Sequence, residues 1–296
     1  MQITLNDKPL SQLGNIAVSD FLRDYWQQRP LLIRQAFPNL QMPLSAEELA
    51  GIACETDTAR LVLERGGRQA WEVRHGPLNA NDFRRLPNSH WTLLVNDMEQ
   101  WQPALKTLLN AFRFIPDWRI DDLMVSYAVD GGSVGPHVDA YDVFLLQISG
   151  TRCWQISTQS DDADNVLPDL DLRIMRDFTA EQTWLLEPGD MLYLPPGVPH
   201  HGVAVGECMT ASIGFRAPSR AELLEDLLGH LLEQDAMTER YHDPGRTIAT
   251  DPSQLAAADL EQLTDFIMKA LPDRQAVRAW LQAHWANKTT ADNDID

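Results

Sequence analysis

Two short pieces of one segment, Gly131 to His200, restrict this chain more than any other feature in it. The first reads Gly131-Gly132-Ser133-Val134-Gly135-Pro136-His137-Val138-Asp139. The second reads Glu187-Pro188-Gly189-Asp190-Met191-Leu192-Tyr193-Leu194-Pro195-Pro196-Gly197-Val198-Pro199-His200. Together they supply a His-x-Asp pair and one distant histidine. Two imidazoles and a carboxylate are the donor set of a 2-His-1-carboxylate iron site, which leaves metal positions open for small molecules. Residues i and i+2 of a strand share a face, so the spacing predicts that His137 and Asp139 converge on one ion. His200 would then arrive from a distant strand of a barrel.

The glycines and prolines sharpen this reading. Gly189-x5-Pro195-x-Gly197-x2-His200 matches the second motif of the cupin pattern, a tight turn and a strand followed by a bend that presents a histidine at a barrel mouth. The first cupin motif is present in part, as Gly131-x5-His137. Asp139 stands where many cupins have histidine, and the usual glutamate after it is missing. The departure removes a fourth ligand and leaves three protein donors. A lone His-x-Asp is weak evidence; coupled to the pattern around His200, in the right order, it is specific.

The surrounding chain predicts short strands separated by Gly/Pro turns, the texture of a barrel or double-sheet jelly roll. Strands are expected at Leu61–Leu63 and Trp71–Val73 around a Gly66-Gly67 hairpin turn, at Trp91–Val95, and at Leu123–Val129. Val143–Ser149 is apolar on both faces, as in a doubly covered strand, and Gly150 is expected to turn it into Arg152–Ile156. Thr183–Leu186, Met191–Leu194 and Met209–Phe215 complete the set. Ser19 is expected to cap a first helix and Pro30 to force Leu31–Ile33 to extend. Ser45-Ala46-Glu47-Glu48 is a capping box, and Leu105, Leu108, Leu109 and Phe112 have helical spacing. After Phe215 the texture becomes helical. Ser219-Arg220-Ala221-Glu222 is a second capping box, and Leu223, Leu224, Leu227, Leu228, Leu231 and Leu232 form a wide apolar stripe. Helices over 255–270 and 275–285 follow, and the acidic last residues are expected to be disordered.

The expected class is therefore mainly β with α: a double-stranded β-helix (jelly-roll or cupin) core, N-terminal α/β decoration and a C-terminal helical domain. We divide it into residues 1–90, an N-terminal α/β part of the catalytic domain; 91–216, the barrel core; 217–286, the helical domain; and 287–296, a disordered tail.

Composition excludes several function classes. The 296 residues carry a formal net charge of −19, the wrong sign for a protein that binds nucleic acid by neutralising phosphates. A basic protein partner suits it better. Cys54, Cys153 and Cys208 lie far apart without a C-x-x-C spacing and read as reduced thiols. The N-terminus lacks a secretory pattern and no run reaches the length of a membrane span, so a cytoplasmic protein is expected.

Arg152 stands at the start of the strand after His137. Inside a barrel it would be an uncompensated charge unless it held an anion, and a guanidinium fork matches a carboxylate. Its functional reading is a clamp on the distal carboxylate of a dicarboxylate whose other end chelates the metal; otherwise it is a surface arginine in a turn. Ser126, on the preceding strand, is placed by parity to add a hydroxyl. His201 points away from its neighbour His200 on an extended strand, and His75, His90, His230, His242 and His284 read as surface or packing residues. Tyr141 and Asp142 stand near the site as loop residues without a ligand role. Asp161, Asp162, Asp164, Asp169 and Asp171 lack calcium-loop spacing and read as a solvated face.

These residues resemble a JmjC-type, Fe(II)- and 2-oxoglutarate-dependent oxygenase, and more closely the bacterial ribosomal oxygenases. The resemblance rests on Pro116-Asp117-Trp118-Arg119-Ile120-Asp121-Asp122-Leu123-Met124, on Gly135 to Phe144, on Pro195 to His200, and on Ser212-Ile213-Gly214-Phe215-Arg216-Ala217-Pro218. It covers most of residues 15–285. It implies iron on His137, Asp139 and His200 as catalytic and metal residues, 2-oxoglutarate held by Arg152 and Ser126, O2 as the oxidant, and hydroxylation of an arginine β-carbon in the sixteenth large-subunit ribosomal protein. It also implies a homodimer through the C-terminal helices. The resemblance also implies a continuation into a C-terminal winged-helix-like domain, and the sequence is read as stopping before it. Three other readings stand beside it: a non-redox metal cupin such as a sugar isomerase, a JmjC-like binding module without catalysis, and the same oxygenase chemistry on another protein or RNA. An arginine substrate would favour a carboxylate-lined mouth, with Asp130, Asp142 or the 161–171 acids as candidates.

Overall fold

The computed structural model describes residues 8–40, 44–66, 71–158, 165–168, 170, 172–249 and 251–291. Gly67, the five acids from Asp161 to Asp171, and residues 292–296 lie outside them. The chain begins with a two-residue ladder, β1 (Gln12–Leu13) against β2 (Ile16–Ala17), that runs straight into α1 (Val18–Asp24). Ser19 is therefore inside α1 and does not cap it. Ala17 holds the N-cap position, and the Val18 amide donates instead to the Ser11 carbonyl at 3.0 Å. β3 (Leu31–Ile33) follows Pro30. α2 (Ala46–Ala53) opens on the Ser45–Glu48 capping box, with both reciprocal hydrogen bonds formed.

β4 (Ala59–Glu64) and β5 (Trp71–His75) pair antiparallel. The short α3 (Ala80–Arg84), β6 (Trp91–Val95), α4 (Met98–Trp101) and α5 (Pro103–Asn110) lead to β7 (Ile120–Ala128). Then come β8 (Asp142–Ile156), β9 (Gln182–Leu186), β10 (Met191–Leu194) and β11 (His200–Phe215). They form a nine-stranded antiparallel sheet in the order β3-β10-β8-β11-β7-β6-β4-β5, with β9 beside β8.

β8 and β11 run alongside each other for their full 15 and 16 residues. The sequence predicted a turn at Gly150. Instead the strand passes through it as a bulge, because Gly150 adopts φ +62° where any side chain would strike the Glu207 carbonyl, 2.0 Å from its Cβ position. Beyond the bulge, β8 changes its outer partner from β10 to β9. One half of each long strand thus belongs to each of two layers, which makes the core a double-stranded β-helix.

Alternation along the strands separates two interiors. Leu123 and Val125 on β7, Phe144, Leu146 and Ile148 on β8, and Ala211, Ile213 and Phe215 on β11 face one apolar core, shared with Phe21, Leu49 and Leu105 from the helices and Phe112 from the turn after α5. Asp122, Met124 and Ser126, Val143 and Leu145, and Thr210 and Ser212 face the other way, into a cavity. Asp142 is not at the mouth of this cavity. It is fully buried, accepts from Tyr193 Oη (2.6 Å) and Gln27 Nε2 (2.9 Å), and pairs with Arg119 (3.3 Å).

By internal contacts the chain separates into residues 1–217 and 218–296. In the second unit, α6 (Arg220–Leu232) starts at the Ser219–Glu222 capping box, followed by α7 (Ala257–Ala270) and α8 (Arg274–Ala291). Leu231 is buried, while Leu224, Leu228 and Leu232 are exposed. No described helix is long and apolar enough to cross a membrane.

Candidate active site

His137 and His200 meet as an antiparallel bridge: the His137 amide donates to the His200 carbonyl at 3.0 Å, and the reverse bond is 2.9 Å. His137 and Asp139 are not on a regular strand, as parity had assumed. The loop instead lies along the free edge of β11, where Gly131 and Gly132 also bond to Ala204. Gly135 makes this path possible. It adopts φ +79°, and a Cβ there would sit 2.8 Å from Ile174.

Each imidazole is oriented by its own backbone. His137 Nδ1 lies 2.9 Å from the Gly135 carbonyl and His200 Nδ1 lies 2.9 Å from the Val198 carbonyl. A carbonyl can only accept, so both Nδ1 atoms carry the proton and both Nε2 atoms present a lone pair. Those lone pairs face one carboxylate, with Asp139 Oδ1 3.8 Å from His137 Nε2 and Oδ2 3.5 Å from His200 Nε2. The three donor atoms lie within 4.8 Å of one another. Burial, then the neighbouring His137, pushes the His200 pKa down to about 4, so the ring is neutral at physiological pH, as metal ligation requires. Two imidazoles and a carboxylate that converge in this way fit a divalent metal such as Fe(II).

These residues line a cavity of about 290 Å³ that runs down between the two layers. Arg152 closes one part of it. The side chain is buried (3% exposed), and its guanidinium donates to Ser126 Oγ and the Gly202 carbonyl, each at 3.3 Å. Among the described residues no carboxylate pairs with it, and burial holds its pKa below the usual arginine range. A buried cation without a counter-charge is costly, so this end of the cavity fits an anion. Ser126 Oγ accepts from Arg152 and lies beside Thr210, whose hydroxyl donates to Gln147 (3.0 Å). The clamp residues read from the sequence and the metal donors therefore open onto one space.

The remaining histidines stand apart from it. His201 projects to the opposite face, where Nε2 lies 3.0 Å from Ser133 Oγ, and none of His75, His90, His230, His242 or His284 lines the cavity. Asp130 accepts from the Gly206 amide at 2.8 Å and is not a lining residue either.

Several wall residues were not singled out in the sequence. Trp154 shares the inward face of β8 with Arg152, and Asp122 and Met124 share that of β7 with Ser126. Period-two counting from Arg152 and Ser126 would have found them. Asp122 is held by Asn96 Nδ2 at 2.6 Å, and burial, followed by repulsion from Asp121 and Asp97, raises its pKa despite that bond. Tyr141 also lines the space, and Leu172, Arg173 and Ile174 close one side from a loop that no periodicity marks.

Comparison with known proteins gives a consistent picture. A JmjC domain model matches residues 107–223, and an AraC-like ligand binding domain model matches residues 178–287. The ribosomal protein uL16 3-hydroxylase of Escherichia coli is 37% identical over 262 residues, which are 88% of this chain and 69% of that protein. The probable ribosomal oxygenase of Haemophilus influenzae is 39% identical over 218 residues, 73% of this chain but 53% of that protein, so this chain spans about half its length. Among solved structures, the E. coli ribosomal oxygenase YcfD in complex with cobalt and 2-oxoglutarate matches with a TM-score of 0.75 at 35% identity, over 95% of this chain and 70% of that one. With that extent of identity and of shared fold, the chain belongs to the bacterial ribosomal oxygenases of the JmjC type.

Proposed function

We propose that this protein is an Fe(II)- and 2-oxoglutarate-dependent oxygenase that hydroxylates a ribosomal protein, at the β-carbon of an arginine of uL16. One observation carries the chemistry: the His137–Asp139–His200 donor set and the uncompensated Arg152 guanidinium line the same cavity. A metal site alone suits many reactions. A metal site joined to a buried anion clamp suits a cosubstrate that chelates with one end and carries a carboxylate at the other.

His137, Asp139 and His200 hold the iron in this reading, and Arg152 with Ser126 holds the distal carboxylate. Iron with the keto acid and O2 supplies oxidative decarboxylation to succinate and CO2 and the oxidising power for C–H hydroxylation. The chain's own part is orientation and exclusion of water. The Gly135 and Val198 carbonyls fix the two imidazoles, Arg152 neutralises the cosubstrate, and Val143, Leu145, Trp154 and Ile174 keep the walls apolar. Asp122 offers a wall carboxylate to a guanidinium, and the −19 net charge favours a basic protein partner.

The helical unit is read as the dimerisation element, on the strength of the exposed Leu224, Leu228, Leu232, Leu260 and Ile267. The protein is read as cytoplasmic because its proposed substrate is a ribosomal protein. Incubation with Fe(II), 2-oxoglutarate, O2 and uL16 tests the function: the substrate gains one oxygen atom and succinate appears. No mass gain and no succinate would sink the reading, and a gain on another basic protein would change only the substrate.

A further inference from the structure

Three buried side-chain atoms among the described residues, Thr92 Oγ1, Arg152 Nε and Trp154 Nε1, lack a hydrogen-bond partner. Two of the three belong to neighbouring wall residues of one cavity, on the same face of β8. A chain that filled this position for bulk alone would be served by phenylalanine. An indole carries a donor as well, and a buried indole N–H ordinarily finds an acceptor.

The placement of the ring narrows what that acceptor is. The Cζ3–Cη2 edge of Trp154 lies over Gly202, whose Cβ position is 2.6 and 2.7 Å from those atoms. Nε1 is on the opposite side of the indole, so the N–H is turned away from the β11 backbone at Gly202. The ring centroid is 5.9 Å from that of His200 and 5.1 Å from the Arg152 guanidinium carbon. The indole is therefore close to both the metal donors and the anion clamp, on the wall of the cavity they share.

We infer that the Trp154 indole N–H is a further hydrogen-bond donor to the dicarboxylate cosubstrate, a role that rests on the oxygenase reading above. Trp154 is then a selectivity element as well as a wall. It rewards an acceptor oxygen along the cosubstrate and leaves its donor unpaired when an apolar molecule of the same length binds.

The test uses the full chain loaded with Zn(II), which has no redox chemistry, and 2-oxoglutarate as the probe. With ¹⁵N-tryptophan labelling the nine tryptophans each report one indole N–H, and Trp154→Phe identifies the one at issue by its disappearance. Saturating 2-oxoglutarate shifts the Trp154 indole proton downfield. In calorimetry Trp154→Phe raises the Kd for 2-oxoglutarate roughly 3- to 30-fold and leaves Zn(II) affinity unchanged. An unmoved Trp154 resonance at saturation, or wild-type affinity in Trp154→Phe, overturns the inference. If that variant does not fold, the wild-type resonance is assigned through its proximity to the His200 ring, and its shift alone decides. A wild-type protein that binds Zn(II) but not 2-oxoglutarate overturns the oxygenase reading itself, and the Trp154 inference with it.

Discussion

His137 and His200 donate to each other's carbonyls at 3.0 and 2.9 Å, so a backbone ladder holds the two imidazoles side by side. Their ring centroids are 4.2 Å apart. The second constraint on each ring, the Nδ1–carbonyl bond to the residue two positions earlier, is equally local. Both constraints lie within the ligands' own backbone segments, so effects at the anion end of the cavity can be measured separately from effects at the metal donors.

Arg152→Met separates binding from stability. It removes a buried charge that has no counter-charge among the described residues, so the unfolding midpoint of the ligand-free protein holds or rises. Affinity for 2-oxoglutarate falls about 100-fold, the equivalent of a charge-assisted contact worth about 3 kcal/mol. Thermal unfolding with and without 2-oxoglutarate checks both: the wild type gains stability from the cosubstrate and the variant does not.

Gly202→Ala attacks the same cavity from behind. The new methyl would stand 2.6 Å from the Trp154 ring and 2.8 Å from Arg152 Nε, so these two cavity-lining side chains must shift. A loss of about 1–3 kcal/mol in stability is expected, as for other overpacked sites. An increased KM for 2-oxoglutarate with little change in the KM for uL16 would distinguish this from general loosening.

Asp142→Asn tests the buried anchor outside the cavity. The carboxylate accepts from Tyr193, Gln27 and Arg119. An amide must turn its NH2 toward at least one of these donors, and a loss of about 2–4 kcal/mol follows. A urea midpoint equal to that of the wild type would show that the network contributes nothing.

Asp122 gives a pH dependence with a defined sign. Burial raises its pKa in the folded state, so the folded protein holds the proton more tightly than the unfolded chain. Its unfavourable contribution is absent below the unfolded carboxylate pKa and develops as pH rises through the raised folded value. Asp122→Asn is therefore more stable than wild type at neutral pH, and the difference closes on acidification into the ordinary carboxylate range. Guanidinium titrations at pH 7 and pH 4 measure it; a gap that widens toward pH 4 reverses the assignment. The same variant weakens binding of an arginine-bearing peptide.

Much of this fold is legible from local chemistry. The Ser45 and Ser219 capping boxes start helices where the sequence puts them, because a capping box is satisfied within four residues. Ser19 misleads because β2 leads straight into α1 and the Ser11 carbonyl takes the first amide. Gly150 misleads in a similar way. A glycine at positive φ serves a turn or a bulge equally well, and only the pairing of β8 with β11 along its whole length decides between them.

The sequence by itself determined the chemistry that is possible here. Residue types and spacing specified two histidines and an aspartate in barrel order, an arginine between the His-x-Asp pair and the second histidine, and alternating strands that must bury one face. Tertiary structure alone decided where these groups point. The His137–His200 bridge, the buried isolation of Arg152, the removal of Asp142 to a network of its own, and the unpaired Trp154 N–H each depend on which strands are neighbours. Pairing between distant segments is set by the packing of the whole sheet, and no local pattern encodes it.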